Sequence, residues 1–384
     1  MPKEKHGYYE FFAGGGMLSL GLSDRWRPLF ANDNSPKKAF SFRRNFPEAP
    51  FVLGDVADLS VRDLPGTPTL AWASFPCQDL SLAGPRKGIR ASRSGTFWPF
   101  WNLIRESAAA GRTVPIVVLE NVVGLLAAHG GADFLALVAA LREGGYRVGP
   151  VVLDARYFVP QSRPRLFILA VSEEWAVPAS LLDEGPSAPW HPDALRSAYE
   201  GLPRELRAAW LWWRLPAPPR LKQSLADLLE ENPRAVAWNT PAETERLLEL
   251  MTPAHRERVR QAQTRGERVV GTVYRRTRPD GNGGRTQRAE VRLDGIGGCL
   301  RTPAGGSSRQ TILSVEGDRI RSRLLSPREA ARLMGVSDSY ILPENYNEAY
   351  RLMGDGLVVP VVRRLEENLL LPLAANERRL RLTA

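Results

Sequence analysis

The 384-residue chain has very little cysteine and histidine: Cys77 and Cys299 are its only thiols, and there are four histidines. Two thiols so far apart provide neither a disulfide framework nor metal-ligand spacing, and the scattered histidines add none. The expectation is therefore no metal site and a reducing, cytoplasmic setting. No run of 18 apolar residues occurs, so no transmembrane helix and no membrane partner are expected. The start, Met1-Pro2-Lys3-Glu4-Lys5, runs into a strand without the apolar centre of a signal peptide. No internal repeat or low-complexity tract breaks the chain. Lysine is absent from residues 252–292, where eleven arginines face four acids. That block supplies +7 of a net charge of +10. A one-signed excess of this kind favours a polyanionic partner, nucleic acid before a membrane surface.

At 43% hydrophobic residues, the chain can bury the core of one large domain or two ordinary ones. The central stretch is Ala73-Ser74-Phe75-Pro76-Cys77-Gln78. It follows an apolar run, Thr69 to Trp72, that reads as a buried parallel strand. Pro76 ends the strand and sets a turn. Cys77 then falls just past a strand's carboxyl end, where open α/β sheets place their chemistry. Taken alone, Cys77 reads as a small buried hydrophobe. Leu119-Glu120-Asn121-Val122 changes that weighing, because Ile116 to Leu119 reads as a second buried strand. A thiol and a carboxylate at neighbouring strand ends suit covalent catalysis with acid–base help.

Upstream, Tyr8 to Phe12 reads as a strand, Ala13-Gly14-Gly15-Gly16 as a turn, and Met17 to Leu22 as a helix. This order lets backbone N–H groups approach a nucleotide-like ligand. Pro28 to Asp33 is a second strand ending in an acid, at a distance from the glycines that suits a ribose contact; Asp33 can equally cap the helix from Ser35. Phe51 to Val56 gives a third strand end, with Asp55. The loop after Cys77 carries Arg86, Lys87, Arg90 and Arg93 and reads as a lid, a phosphate-contacting arm or an ordinary solvated loop. Further on, Gln161-Ser162-Arg163-Pro164-Arg165 lies before a strand, and alternation on an extended segment would aim Gln161, Arg163 and Arg165 one way. From Val177 prolines become frequent, and Trp190, Trp210, Trp212 and Trp213 cluster. The regular pattern returns at Leu325, where Ser326-Pro327-Arg328-Glu329 reads as a capped helix start.

Together these motifs resemble the DNA (cytosine-5) methyltransferase family, over roughly residues 8–172 and 300–368. Phe12-Ala13-Gly14-Gly15-Gly16 is similar to its cofactor loop, Phe75-Pro76-Cys77-Gln78 to its nucleophile motif, Glu120-Asn121-Val122 to its acid motif, and Gln161-x-Arg163-x-Arg165 to its arginine motif. Residues 326–335 resemble its late helix. Ser74 and Asp355 depart from the family's usual Gly and Asn. The resemblance implies an α/β fold: a Rossmann-like methyltransferase sheet domain from residues 1–175 and 321–384, with a smaller, irregular target-recognition domain at 176–320. It implies S-adenosylmethionine as cofactor, held by Phe12, Ala13, Gly14, Gly15, Gly16, Asp33, Asp55, Val56, Pro76, Asp355 and Leu357. It implies Cys77 as nucleophile on C6 of a flipped cytosine, Glu120 as the acid at N3, and Gln161, Arg163 and Arg165 near the base. It implies double-stranded DNA as partner, contacted by Gln78, Ser81, Arg86, Lys87, Arg275, Arg276, Arg278, Arg285 and Arg288. The implied setting is a monomer in the bacterial cytoplasm, associated with the nucleoid through DNA. A cognate restriction endonuclease would act beside it without a stable complex.

Three other readings share some of these features. A nicotinamide-dependent oxidoreductase explains the glycine turn and Asp33 but not Cys77, Glu120 or the arginines. A catalytically silent DNA-binding regulator predicts a damaged nucleophile or acid, and both are intact. An RNA cytosine methyltransferase shares the core motifs, and the long insert between Val171 and Leu325 favours duplex DNA over it.

Overall fold

The computed structural model describes residues 5–76, 95–279, 284–301 and 309–381. The chain divides into two compact units: Met1–Asp154, Pro164–Ala217 and Val361–Ala384 form the first, and Ala155–Arg163 with Pro218–Pro360 the second.

Among the described residues of the first unit, seven strands make one sheet. They are β1 (His6–Phe11), β2 (Trp26–Asp33), β3 (Phe51–Leu53), β4 (Leu70–Ala73), β5 (Ile116–Val122), β6 (Tyr146–Asp154) and β7 (Pro164–Ser172). The order is β3-β2-β1-β4-β5-β7-β6. β1 to β5 run parallel, and β7 is antiparallel to both its neighbours. This is the α/β sheet expected, with β7 an antiparallel strand the sequence did not mark. The order reverses between β1 and β4, whose ends pair as Phe11 with Ala73. A crevice at the carboxyl ends of the strands opens at such a switch point. Helices α1 (Met17–Gly21), α2 (Pro36–Asn45), α3 (Phe97–Ala109) and α4 (Ala132–Glu143) join the strands.

The core explains why these stretches form a sheet. Trp72, Ala73, Val117, Val118, Ile168 and Ala170 are almost fully buried, as the apolar runs of a doubly covered parallel sheet require. α3 contributes Phe97, Phe100, Trp101 and Ile104, and α4 contributes Phe134, Leu137, Val138 and Leu141. Residues 123–143 are long and apolar enough to cross a membrane by length and composition. They form two helical pieces, however, broken by non-helical backbone at Ala128, His129 and Gly130. A break like this leaves backbone groups that lipid would not satisfy.

The unit boundaries differ from the composition boundaries, 175/176 and 320/321. The Trp-rich stretch stays with the sheet because it covers its β6 edge. Val148 donates to Ala209 O, Leu211 donates to Val148 O, and Val152 donates to Trp190 O. Trp213 Nε1 donates to Gly149 O at 2.7 Å. A side chain at Gly149 would collide with Trp213. An edge strand sealed in this way cannot pair with another chain.

Among the described residues of the second unit, four antiparallel strands follow the order β11-β10-β8-β9: β8 (Val269–Pro279), β9 (Arg285–Arg292), β10 (Thr311–Glu316) and β11 (Arg319–Leu324). The helices Pro241–Glu249 and Pro253–Gln263 cover one sheet face, closing a core of Leu247, Met251, Val259, Val273, Val291, Leu313 and Val315. The late helix Pro327–Leu333 belongs to this unit rather than to the large sheet. It starts as expected, with Ser326 as cap, Pro327 next, and a reciprocal bond to Glu329.

Candidate active site

The carboxyl ends of the five adjacent strands β1 to β5 carry the candidate site in the first unit. The turn after β1 holds the glycines. Phe12 and Gly14 both have φ of 58° and Gly16 has 81°, the left-handed region that favours glycine. Gly14 N donates to Asp33 Oδ2 at 3.0 Å. A Cβ at Gly14 would meet no atom within 4 Å, whereas at Gly16 it would meet Phe46 at 2.3 Å. Gly16 is small because Phe46 fills its space, whereas open space lies beside Gly14.

Asp33 is buried at the end of β2 and binds two backbone amides, Gly14 N and Ser35 N at 2.9 Å. It ties the glycine turn to the start of α2, while Ser35 itself caps that helix. A carboxylate has about four lone-pair sites, so two remain for hydroxyl donors. Asp55 is exposed after β3 and caps the short turn Val56–Asp58 through Ala57 N. Val56 is buried beside it.

Sequence reasoning missed Glu10. It is fully inside β1, two residues before the turn, and accepts from Ser19 Oγ at 2.9 Å. Burial pushes its carboxyl up to about 8, with the charge of Asp33 adding to the shift and hydrogen bonds from Ser19 and Leu18 opposing it. The visible signal was an acid within an apolar strand just before the glycines. The unfolded chain ionises Glu10 near pH 4.5, while the folded chain holds its proton to about 8. Stability linked to Glu10 is therefore greatest below pH 4.5 and is lost as the pH rises to 8. Glu10→Gln should flatten this slope. Thermal melts at pH 5 and pH 8.5 should show a smaller drop than in the wild type, and an equal drop would exclude Glu10 as its source.

The turn after β4 leads through Phe75 and Pro76. Phe75 is buried, and its carbonyl accepts from Asn121 Nδ2 at 3.0 Å. Ser74 Oγ accepts from Trp72 Nε1 at 3.0 Å, which gives the departing serine a partner. Cys77, Gln78, Ser81, Arg86 and Lys87 lie outside the described residues.

Glu120 does not follow a strand as expected; it lies within β5. The antiparallel neighbour β7 extends the ladder through the pair Val122 and Arg165. Glu120 and Arg165 are therefore diagonal neighbours on one face, with Arg165 Nε at 3.1 Å from Glu120 Oε1. Their side chains are 12% and 17% exposed, so they are largely shielded from solvent.

Gln161 and Arg163 both reach the backbone of Leu300, while Arg165 pairs with Glu120. Gln161 and Arg163 are buried in the second unit. Gln161 Nε2 donates to Leu333 O, and its Oε1 accepts from Leu300 N. Arg163 donates to Leu300 O, Gly354 O and Gly356 O at 2.8–3.0 Å. These side chains staple backbone, and Arg165 is paired with the acid. Asp355 ends the helix Tyr346–Asp355 of that unit, and Leu357 is buried just beyond it.

Of the arginines given to DNA, Arg276, Arg278 and Arg288 share one face of the β8–β9 ribbon, and Arg275 and Arg285 take the other. Glu290 pairs with both Arg276 and Arg278.

A model of the C-5 cytosine-specific DNA methylase family matches residues 7–370. The chain is 22% identical over 368 residues to the type II methyltransferase M.MspI of a Moraxella species, covering 95% of this chain and 71% of that one. It is 24% identical to M.Bsp6I of a Bacillus strain, covering 93% and 96%. Among solved structures, a Spodoptera frugiperda DNMT2 mutant superposes with a TM-score of 0.58 at 17% identity, covering 95% of this chain and all of that one.

Proposed function

Because the chain belongs to the C-5 cytosine-specific DNA methylase family, we propose that it methylates C5 of a cytosine flipped out of double-stranded DNA, through a covalent Cys77–C6 intermediate. The observation that supports this most is the bond from Asn121 to Phe75 O. It ties the turn leading to Cys77 to the strand that carries Glu120.

S-adenosylmethionine, the family's methyl donor, supplies an electrophilic sulfonium methyl when bound. The residues present fit it. The space beside Gly14 is open, and Asp33 keeps acceptor capacity next to it. Asp55 and Val56 follow at the next strand end, with Phe12, Ala13, Gly15 and Pro76 lining the turns. Asp33→Ala should weaken cofactor binding by about 1–3 kcal/mol, the cost of unpaired hydroxyls. Unchanged affinity by calorimetry would remove Asp33 from the site.

Cytosine C5 is a poor nucleophile. The Cys77 thiolate adds to C6 while Glu120 gives a proton to N3, and the resulting enamine places electron density on C5. After C5 has taken the methyl, loss of the C5 proton to solvent expels the Cys77 thiolate, and N3 returns its proton to the Glu120 carboxylate. Arg165 holds the Glu120 carboxyl in place and faces the charge that develops at O2. The second unit, with its arginine ribbon, reads the duplex, and the base leaves the helix to reach Cys77. The resulting mark protects host DNA from a restriction endonuclease.

The test is methyl transfer to duplex DNA and to tRNA, together with bisulfite sequencing of DNA from a non-methylating host that expresses the protein. The expected result is 5-methylcytosine at one position of one short sequence. Label entering tRNA alone would establish the RNA-directed alternative instead.

A further inference from the structure

At the end of the second sheet opposite the ribbon, three arginines converge on one face. The register sets Arg321 of β11 opposite Ser314 of β10, and Arg319 opposite Glu316. Ser314 in turn lies opposite Val270 of β8, which brings Arg268, just before β8, to the same face. Arg268 Nε donates to Ser314 Oγ at 3.1 Å. The Arg321 guanidinium lies over the Trp238 ring, 4.2 Å from its centroid. Trp238 is fixed in turn: it bridges to Arg323, and Asn239 N donates to Ser322 O at 2.8 Å.

None of Arg268, Arg319 and Arg321 forms an ion pair with a described carboxylate. Arg323, the next arginine on that face of β11, is different, since Glu329 neutralises it. Arg268 and Arg319 are exposed and Arg321 is half-buried. Burial and the neighbouring guanidiniums of Arg319 and Arg268 push Arg321 below its ordinary range, with the charge of Glu316 opposing them only in part. Holding like charges together costs free energy that an anion would recover. A flat guanidinium stacked on an indole keeps its donor edge free for phosphate oxygens.

We infer that Arg268, Arg319 and Arg321, ordered by Trp238 and Ser314, form a phosphate-binding site for the backbone of the DNA substrate. The site is separate from the β8–β9 ribbon and carries no sequence information, because phosphate contacts position the protein without reading bases. Residues 319 and 321 lie outside the arginine block at 252–292, so composition alone does not mark them. The inference rests on the DNA methyltransferase reading, and binding is measured apart from catalysis so that the two can fail separately.

The test compares the wild type with the triple variant Arg268→Ala, Arg319→Ala and Arg321→Ala. Affinity for one duplex is measured across a salt series, and the same proteins are assayed for methyl transfer at saturating DNA. The slope of log K against log salt should shrink by about two to three units, roughly one per lost phosphate contact. KM for DNA should rise while kcat stays unchanged. Arg319→Lys should keep the wild-type slope, because the charge remains. An unchanged slope in the triple variant would overturn the inference. So would inorganic phosphate protecting this cluster from arginine modification while duplex DNA does not, which would point to a small phosphate ligand. A wild-type protein that binds DNA with the expected slope change but methylates none would instead count against the proposed reaction.

Discussion

Duplex DNA carrying 5-fluorocytosine at the target position should trap the protein in a denaturant-stable adduct, and Cys77→Ser should abolish that adduct completely. Fluorine at C5 cannot leave as a proton does, so elimination stalls and the thioether to C6 persists. A free thiol near pKa 8.5 is only a few per cent ionised at neutral pH, so the site must favour the thiolate. Cys299 is the built-in control. It is the other thiol of the chain and is half-buried in the second unit, with Arg163 Nη1 3.4 Å from its sulfur. Cys299→Ser should leave the adduct intact. DNA binding measured on Cys77→Ser should persist, which separates loss of chemistry from loss of fold. An adduct that survives Cys77→Ser, seen as a shifted band under denaturing conditions, would remove Cys77 and with it the acid role given to Glu120.

Glu329→Ala should have the largest effect on stability, a loss of about 3–5 kcal/mol, the range for breaking a buried ion pair. Arg323 and Glu329 are 1% and 0% exposed. Arg323 donates to both Glu329 oxygens, at 2.6 and 2.8 Å. The same carboxylate also accepts from Ser326 N and Glu230 N, each at 2.8 Å. Alanine would leave the guanidinium buried without a counter-charge and uncap the helix Pro327–Leu333. That helix also supplies Leu333 O to Gln161, so the damage would reach residues 155–163. Replacing both partners, Arg323→Met with Glu329→Leu, should recover much of the loss, because no charge then stays unpaired. Urea denaturation of the wild type and these two variants decides this. A Glu329→Ala loss under about 1 kcal/mol would mean that the pair stabilises the fold little.

Local signals explain what the sequence made legible. β1, β2, β4 and β5 are apolar runs that end at Gly, Asp or Pro, and the helix after Leu325 carries its own cap. Their identity depends on neighbours within a few positions. The misreadings depend on partners far along the chain. Glu120 was expected beyond a strand, but β7 pairs with it from 47 positions downstream and keeps it in the ladder. Gln161 and Arg163 were placed on one face with Arg165 by assuming a regular strand. The partners of Gln161 and Arg163 are the backbone of residues 300–356, which alternation along residues 161–165 does not reveal. The tryptophans pointed to a change of domain, yet they seal an edge that only the assembled sheet creates. Glu10 was hidden because a carboxyl in a strand reads as an ordinary polar residue until its burial is known.

The first unit is woven from three separate stretches of chain, and this bears on how the protein is made. Glu366, near the end, accepts from the amide of Ser23 at 2.9 Å and from its hydroxyl. Trp175 Nε1 donates to Leu373 O at 3.1 Å, and Leu365, Leu369, Leu370 and Leu373 are completely buried. Translation proceeds from the amino end, so the strands of the large sheet leave the ribosome long before the residues that finish their packing. Until residue 373 has emerged, the nascent sheet keeps an uncovered apolar surface, and Ser23 and Trp175 lack their final partners. The second unit, whose longer stretch ends at Pro360, is synthesised while the first still waits. Vectorial folding thus leaves closure of the catalytic sheet until residues 361–373 have been made.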